Sequence, residues 1–171
     1  MMTCPSCGHE NIEGTDRCDN CMTSLLKLDR GQPEAAVGLA RSVMENNLIQ
    51  LEQEQTVLVQ LDSPAIEVVR KMRESRAGCA LVLDGAALAG IFTEHDVLKK
   101  LTGVNASSLT TPVRELMSAQ PETLRDTDSV AEALNKMSMG RYRHVPITHD
   151  DGSYSVTSIK NVLQYISRED W

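Results

Sequence analysis

The sequence predicts a mixed α/β protein: a small metal-holding segment, then two copies of a strand–helix–strand–strand–helix unit. Three observations carry that prediction. Four of the five cysteines lie in "CPSCGHENIEGTDRCDNC" as two C-x2-C pairs separated by ten residues. From about residue 48 the chain overlies itself at a constant offset of 65 with no gap. Each copy carries two apolar runs joined through Asp-Gly, the signal of a tight hairpin, flanked by segments of helical period.

Residues 1–28 are expected to be the metal segment. A two-residue gap lets one tight turn aim both sulfurs at one ion, and two such turns complete a tetrahedral site from Cys4, Cys7, Cys18 and Cys21. Gly8 follows the first pair, where such a turn needs a positive φ. Ile12, Met22, Leu25 and Leu26 are too few apolar residues for a self-sufficient core, so metal is expected to supply the missing stability. Four-sulfur sites hold zinc or iron. The short spacing and the "CPSCGHEN…CDNC" wording resemble a zinc ribbon more than a rubredoxin, which implies one structural Zn2+. Four protein ligands leave no open position for catalysis, and His9 reads as a solvated loop residue.

Composition narrows the function. The net charge is −7 and aromatic residues make up 3%, which argues against a nucleic-acid surface, an anionic membrane surface or a base-stacking platform. No apolar run reaches the roughly 18 residues of a membrane span, and the N-terminus has no signal-peptide core, so a cytoplasmic setting is expected. Residues 29–47 read as a linker that turns helical after Pro33, with Val37, Ala40, Val43 and Met44 at helical spacing.

The repeats are expected over 48–108 and 109–171. "SPAIEVVRKMRESR" lies over "DSVAEALNKMSMGR", sharing Glu67/Glu132, Lys71/Lys136, Met72/Met137 and Arg76/Arg141. In each unit a short strand (Val57–Leu61; Thr123–Leu124) precedes a helix, and Ser63-Pro64 reads as the cap and first residue of the first one. Ile66, Val69 and Met72, with Val130, Leu134 and Met137, are the expected core faces. Hairpin turns fall at Asp84-Gly85 and Asp151-Gly152. One unit has too few faces to bury itself, so the two are expected to pack as a pair.

The helix "AEALNKM", the strand "RHVPI" and the signature "GIFTEHD", taken in order and in duplicate, resemble the CBS-domain family in its tandem, Bateman-module arrangement. That resemblance implies a pair of βαββα repeats related by a pseudo-twofold axis, commonly dimerising into a disc. It also implies regulation by an adenosine-containing ligand (AMP, ADP, ATP or S-adenosylmethionine) bound between the repeats.

Two readings of Thr93…Asp96 stand side by side. As residues they form a capping box, with Ser158…Asn161 as the second copy. By resemblance, Asp96 takes ribose hydroxyls while Thr93 and free helix amides meet phosphate. Basic residues of the other repeat would then hold phosphate: Arg143, Lys160 and His144. The second cleft has Ser155 for Gly90, Asn161 for Asp96 and Gly78 for Arg143, so one competent site per chain is expected. The histidines are scattered, Cys79 sits in an apolar strand, and no P-loop or dinucleotide fingerprint is present, so no catalysis is expected. The alternative is a ligand-free dimeric adaptor that docks a partner protein through the ribbon.

Overall fold

The structure, a computed structural model, describes residues 2–4, 8–12, 17–21, 38–51, 55–102 and 107–167. It divides into two compact units, Met1–Arg41 and Ser42–Trp171. In the smaller one, β1 (Met2–Thr3) pairs antiparallel with β2 (Glu10–Asn11). Gly8, at φ +72°, closes the turn between them by giving its N–H to Cys4 O at 2.9 Å. Asn11 is buried and accepts the Asp19 N–H at 3.0 Å, tying the two cysteine turns together. Cys7, Met22, Leu25, Leu26 and Val37 lie outside the described residues. Helix α1 spans Leu39–Glu45.

The larger unit holds both repeats. In the first, β3 (Leu58–Gln60) and β4 (Cys79–Asp84) run parallel, which requires a crossover, and α2 (Ala65–Glu74) supplies it. Strand β5 (Ala87–Thr93) returns antiparallel through the Asp84-Gly85 turn, where Gly85 takes φ +62°. A two-residue strand β6 (Ser118–Ala119) extends the sheet beside Gly90 and Ile91, giving the order β3-β4-β5-β6. The second repeat builds β7 (Leu124–Arg125), α4 (Val130–Gly140), β8 (His144–Thr148) and β9 (Tyr154–Ser158) into the sheet β7-β8-β9 in the same sense. The closing helices differ. Three-residue α3 (Glu94–Asp96) continues as a π-helical turn over Val97–Leu101, whereas α5 (Ile159–Ile166) is a regular helix of eight residues.

Met72 and Met137 are buried core residues, as the helical period predicts. The buried stripes are Ala65, Val68, Met72 and Val130, Ala133, Met137; Val69 and Leu134 pack at their margins. A third apolar cluster draws on both sheets: Cys79, Leu81 and Ile91 from one, Val156 from the other. The Cys79 thiol is therefore inside the joint between repeats.

Ser63 does not cap α2. The cap position is Pro64, which offers no side-chain acceptor, and the first amides of the helix are satisfied from far along the chain. Ala65 N–H goes to Thr111 O and Ile66 N–H to Leu109 O, both at 2.9 Å. This belongs to a reciprocal exchange. The lead-in to the second repeat bonds the first, with Val113 N–H to Ser63 O and Pro64 bridged to Pro112. The lead-in to the first repeat bonds the second, with Leu48 N–H to Asp128 O, Val130 N–H to Asn46 O, and Asn47 bridged to Ser129. Apart from Ile66–Leu109, each of these pairs has its counterpart at a shift of 65 residues. Leu48 and Val113, both fully buried, anchor the two arms, and each such side chain contributes about 1.5–3 kcal/mol. The two repeats thus fold as one body, because each core is completed by residues that precede the other.

One core position lacks a polar partner. Thr157 is 1% exposed and its Oγ1 has no hydrogen-bond partner; its counterpart is Phe92, fully buried in the first core. An unsatisfied buried hydroxyl costs about 1–3 kcal/mol. Thr157→Val, of similar shape, is expected to stabilise the larger unit by about 1 kcal/mol, read as a rise in urea midpoint at unchanged slope. A lower midpoint would show that the hydroxyl is satisfied in solution.

Candidate functional site

The signature Thr93-x-x-Asp96 folds as a complete capping box. Thr93 is extended at φ −121°, and its Oγ1 accepts the Asp96 N–H at 3.4 Å. Asp96 Oδ2 accepts the Thr93 N–H at 3.0 Å and the Thr93 hydroxyl at 2.8 Å. Its other oxygen, Oδ1, lies 2.7 Å from Lys100 Nζ, which also donates to Leu116 O at 2.5 Å. An ionised carboxylate has about four acceptor positions. Three are used, so Asp96, 5% exposed, keeps one on Oδ1 and gains a second only where Lys100 lets go.

The expected set of free helix amides is reduced. Glu94 N–H is given to Gly78 O at 3.1 Å and Asp96 N–H to Thr93 Oγ1, because the chain enters α3 directly from a strand paired with β4.

Around this carboxylate lies a cavity of about 630 Å³ with walls from both repeats. The first repeat contributes Ile91, Thr93, Glu94, His95, Asp96 and Leu98. Ser118, Pro121 and Glu122 come from the start of the second repeat, ahead of β7. The second contributes Arg141, Tyr142, Arg143, His144 and Pro146. Among the described residues, neither Arg141 nor Arg143, both in this wall, has an ion-pair partner.

Of the residues singled out by the sequence, Thr93, Asp96, Arg143 and His144 meet in this one cavity. Lys160, Ser158 and Asn161 are not part of its wall. Lys160 is exposed at the start of α5, where the offset makes it the counterpart of His95 rather than its partner. Ser158 and Asn161 are 2% and 5% exposed and bond each other, Ser158 Oγ donating to Asn161 Oδ1 at 2.6 Å. Gly78, the counterpart of Arg143 in the first repeat, is covered: a Cβ there would stand 2.6 Å from His144 Nε2. His144 uses the bare glycine to lay its imidazole across the joint.

Tyr142, Glu122, Arg141, Pro121 and Pro146 were not anticipated. Glu122 lies 2.6 Å from Lys136 Nζ; that hydrogen bond and that charge hold its carboxyl below the usual range. Burial pushes the Tyr142 phenol up, and the nearby charge of Glu122 pushes it further.

His149 bridges Asp126, 2.9 Å from Nδ1, and Ser155 Oγ, 2.7 Å from Nε2. In the smaller unit the sulfurs of Cys4, Cys18 and Cys21 lie within 4.8 Å of one another, and those of Cys4 and Cys21 are 3.6 Å apart. Two thiolates on one tetrahedral zinc, at about 2.3 Å each, stand roughly 3.8 Å apart, so these three fit a metal.

Comparison with known proteins agrees with this architecture. A family model described as the CBS domain matches residues 40–103 and again 113–168. The CBS domain-containing protein CBSCBSPB5 of Arabidopsis thaliana is 33% identical over 94 residues, which is 55% of this chain and only 17% of that protein. A CBS domain protein of Pyrobaculum aerophilum, solved in complex with AMP, superposes with TM-score 0.61 at 22% identity, over 71% of this chain and 98% of its own. The CBS domain pair of protein MJ0100, solved with 5′-methylthioadenosine and S-adenosyl-L-methionine, gives 0.62 at 15% identity, over 71% and 100%. At these identities the two structures share the fold with this chain.

Proposed function

Because this chain belongs to the CBS-domain family, we propose that it is a non-enzymatic regulatory protein that binds one adenosine-containing ligand in the cavity between its repeats. One observation carries the reading. Thr93 and Asp96 of one repeat and Arg143 and His144 of the other line the same 630 Å³ cavity, a volume usual for small-molecule sites. The Asp96 Oδ1 position takes a ribose hydroxyl by a charge-assisted hydrogen bond. Arg143 and Arg141 take phosphate, the fork of a guanidinium matching two of its oxygens. Structural neighbours solved with AMP and with S-adenosyl-L-methionine support the ligand class.

A nucleophile relay is not part of this reading. Asp126, His149 and Ser155 have the order of one, but Ser155 is 7% exposed and lines neither described cavity, so the imidazole serves as a tie between strand ends. Cys4, Cys7, Cys18 and Cys21 would hold a structural zinc. Leu98 and Leu163, counterparts by the 65-residue offset, are 66% and 58% exposed and offer a surface for a second copy of the chain.

Calorimetric titration tests the assignment. The protein is expected to bind AMP more tightly than adenosine. Arg143→Gln is expected to weaken AMP by roughly 1.5–3 kcal/mol, about ten- to a hundredfold, and to leave adenosine unchanged. Equal losses for AMP and adenosine would remove Arg143 from the phosphate. A relative preference for S-adenosylmethionine over AMP would reassign the ligand within its class.

A further inference from the structure

Beside the large cavity lies an open surface recess of about 230 Å³, lined by Asn135, Lys136, Gly140 and Met139, the last 79% exposed. Glu122 and Tyr142 line both, so this pair is the partition. The geometry points to Tyr142 as the residue that sets the length of ligand the site accepts, a role that rests on the nucleotide reading above.

Two groups position the ring. The Tyr142 ring lies on the bare backbone of Gly140, the last residue of α4: a Cβ there would fall 1.8 Å from Cε1 and 2.4 Å from Cζ. Only glycine lets the ring come so close. The Glu122 carboxylate stands near enough to the phenol to raise its titration, and Lys136 Nζ, 2.6 Å from that carboxylate, holds it in place.

The first repeat has no such device. Its counterparts of Glu122, Tyr142 and Gly140 are Val57, Ala77 and Ser75, with Val57 and Ala77 buried as ordinary apolar residues. The fold does not need the polar set, since one repeat does without it. It stands only where the cavity is.

Polar groups for sugar and phosphate are Asp96, Arg141 and Arg143, which leaves the flat apolar surface of Tyr142, Pro121 and Pro146 for a heteroaromatic base. A base that ends at the Tyr142 ring is accepted. A base carrying a bulky substituent at that end collides with the ring, although room for the substituent exists in the open recess beyond it.

AMP and N6-benzyl-AMP serve as probes, titrated into the full-length protein and into Tyr142→Ala. The wild type is expected to bind AMP at least tenfold more tightly than N6-benzyl-AMP. Tyr142→Ala, which joins the two cavities, is expected to bind N6-benzyl-AMP at least tenfold more tightly than the wild type does. Gly140→Ala, which forces the ring off its seat without removing it, is expected to move selectivity the same way and covers a failure of Tyr142→Ala to fold. AMP binding with no change of selectivity in either variant overturns the length role. If the wild type binds neither probe, the nucleotide reading fails by itself, and the partition is then judged without ligand by 13Cζ NMR of tyrosine. With the latch present, Glu122→Gln brings the Tyr142 phenol titration down towards its ordinary range. An unchanged titration overturns the partition as well.

Discussion

Asp96→Asn is expected to leave the protein folded and to weaken nucleotide binding about ten- to a hundredfold, the roughly 1.5–3 kcal/mol of a hydrogen bond to a charged group. The repeats themselves provide the control. Asn161 occupies the corresponding place in the second repeat and closes the same capping box, its Oδ1 accepting the Ser158 N–H at 2.8 Å. Asparagine therefore serves the helix start, and what Asp96→Asn removes is the charge. Lys100 loses its ion pair but keeps its bond to Leu116 O. Asp96→Ala, by contrast, removes the cap as well and is expected to cost about 0.5–2 kcal/mol of stability. If Asp96→Asn binds AMP as the wild type does, Thr93…Asp96 is a helix cap and nothing more.

Removal of metal is expected to have the largest effect on folding. The described part of the smaller unit is a hairpin of two-residue strands whose buried groups are chiefly Cys4, Cys18 and Asn11, while Ile12 is 75% exposed. Such a segment has almost no apolar burial to set against chain entropy. Structural zinc supplies on the order of 10 kcal/mol in comparable peptides. Chelation, or Cys4→Ser, is expected to collapse the amide dispersion of residues 2–21 in an NMR spectrum while the signals of residues 55–102 and 107–167 stay in place. Retained dispersion in metal-free protein would show that the hairpin holds itself. Iron in place of zinc on elemental analysis would change the metal assignment.

The fold was legible to the degree that it is local. Helical period and the Asp-Gly turns located α2, α4 and both hairpins, and the gapless offset revealed the duplication. The exchange of lead-in segments was not legible. Whether the first amides of α2 are met by Ser63 or by Leu109 and Thr111 depends on contacts more than forty residues apart, and a Ser-Pro pair reads as a cap in either case. The site divides in the same way. Thr93 and Asp96 were found through a local signature, and Arg143 and His144 by setting one repeat against the other.

Lys160 was drawn into the same cavity because it is basic and stands at an equivalent position. It is exposed at the start of α5 and does not line the described cavity. Arg141 lies in the same basic stretch, GRYRHVP, as Arg143 but was not singled out, and the offset pairs it with Arg76. Both take positive φ, 54° and 51°, just after a helix, yet only Arg141 faces the described cavity. The partition at Tyr142 carried a signal of the opposite kind. It lies in the positions where the repeats differ: Gly140 against Ser75, Tyr142 against Ala77, Glu122 against Val57.

The central claim is one nucleotide site per chain, formed between unlike repeats. The measurement that reaches it most directly is an equilibrium titration of the metal-loaded protein with AMP, read for stoichiometry. The expected result is saturation near one AMP per chain. Saturation at two equal sites would mean that the Ser158–Asn161 box, with His144 over Gly78, opens to a ligand as readily as Thr93 and Asp96. No saturable binding of AMP or of S-adenosylmethionine would contradict the sensor and leave an adaptor built on the same pair of repeats.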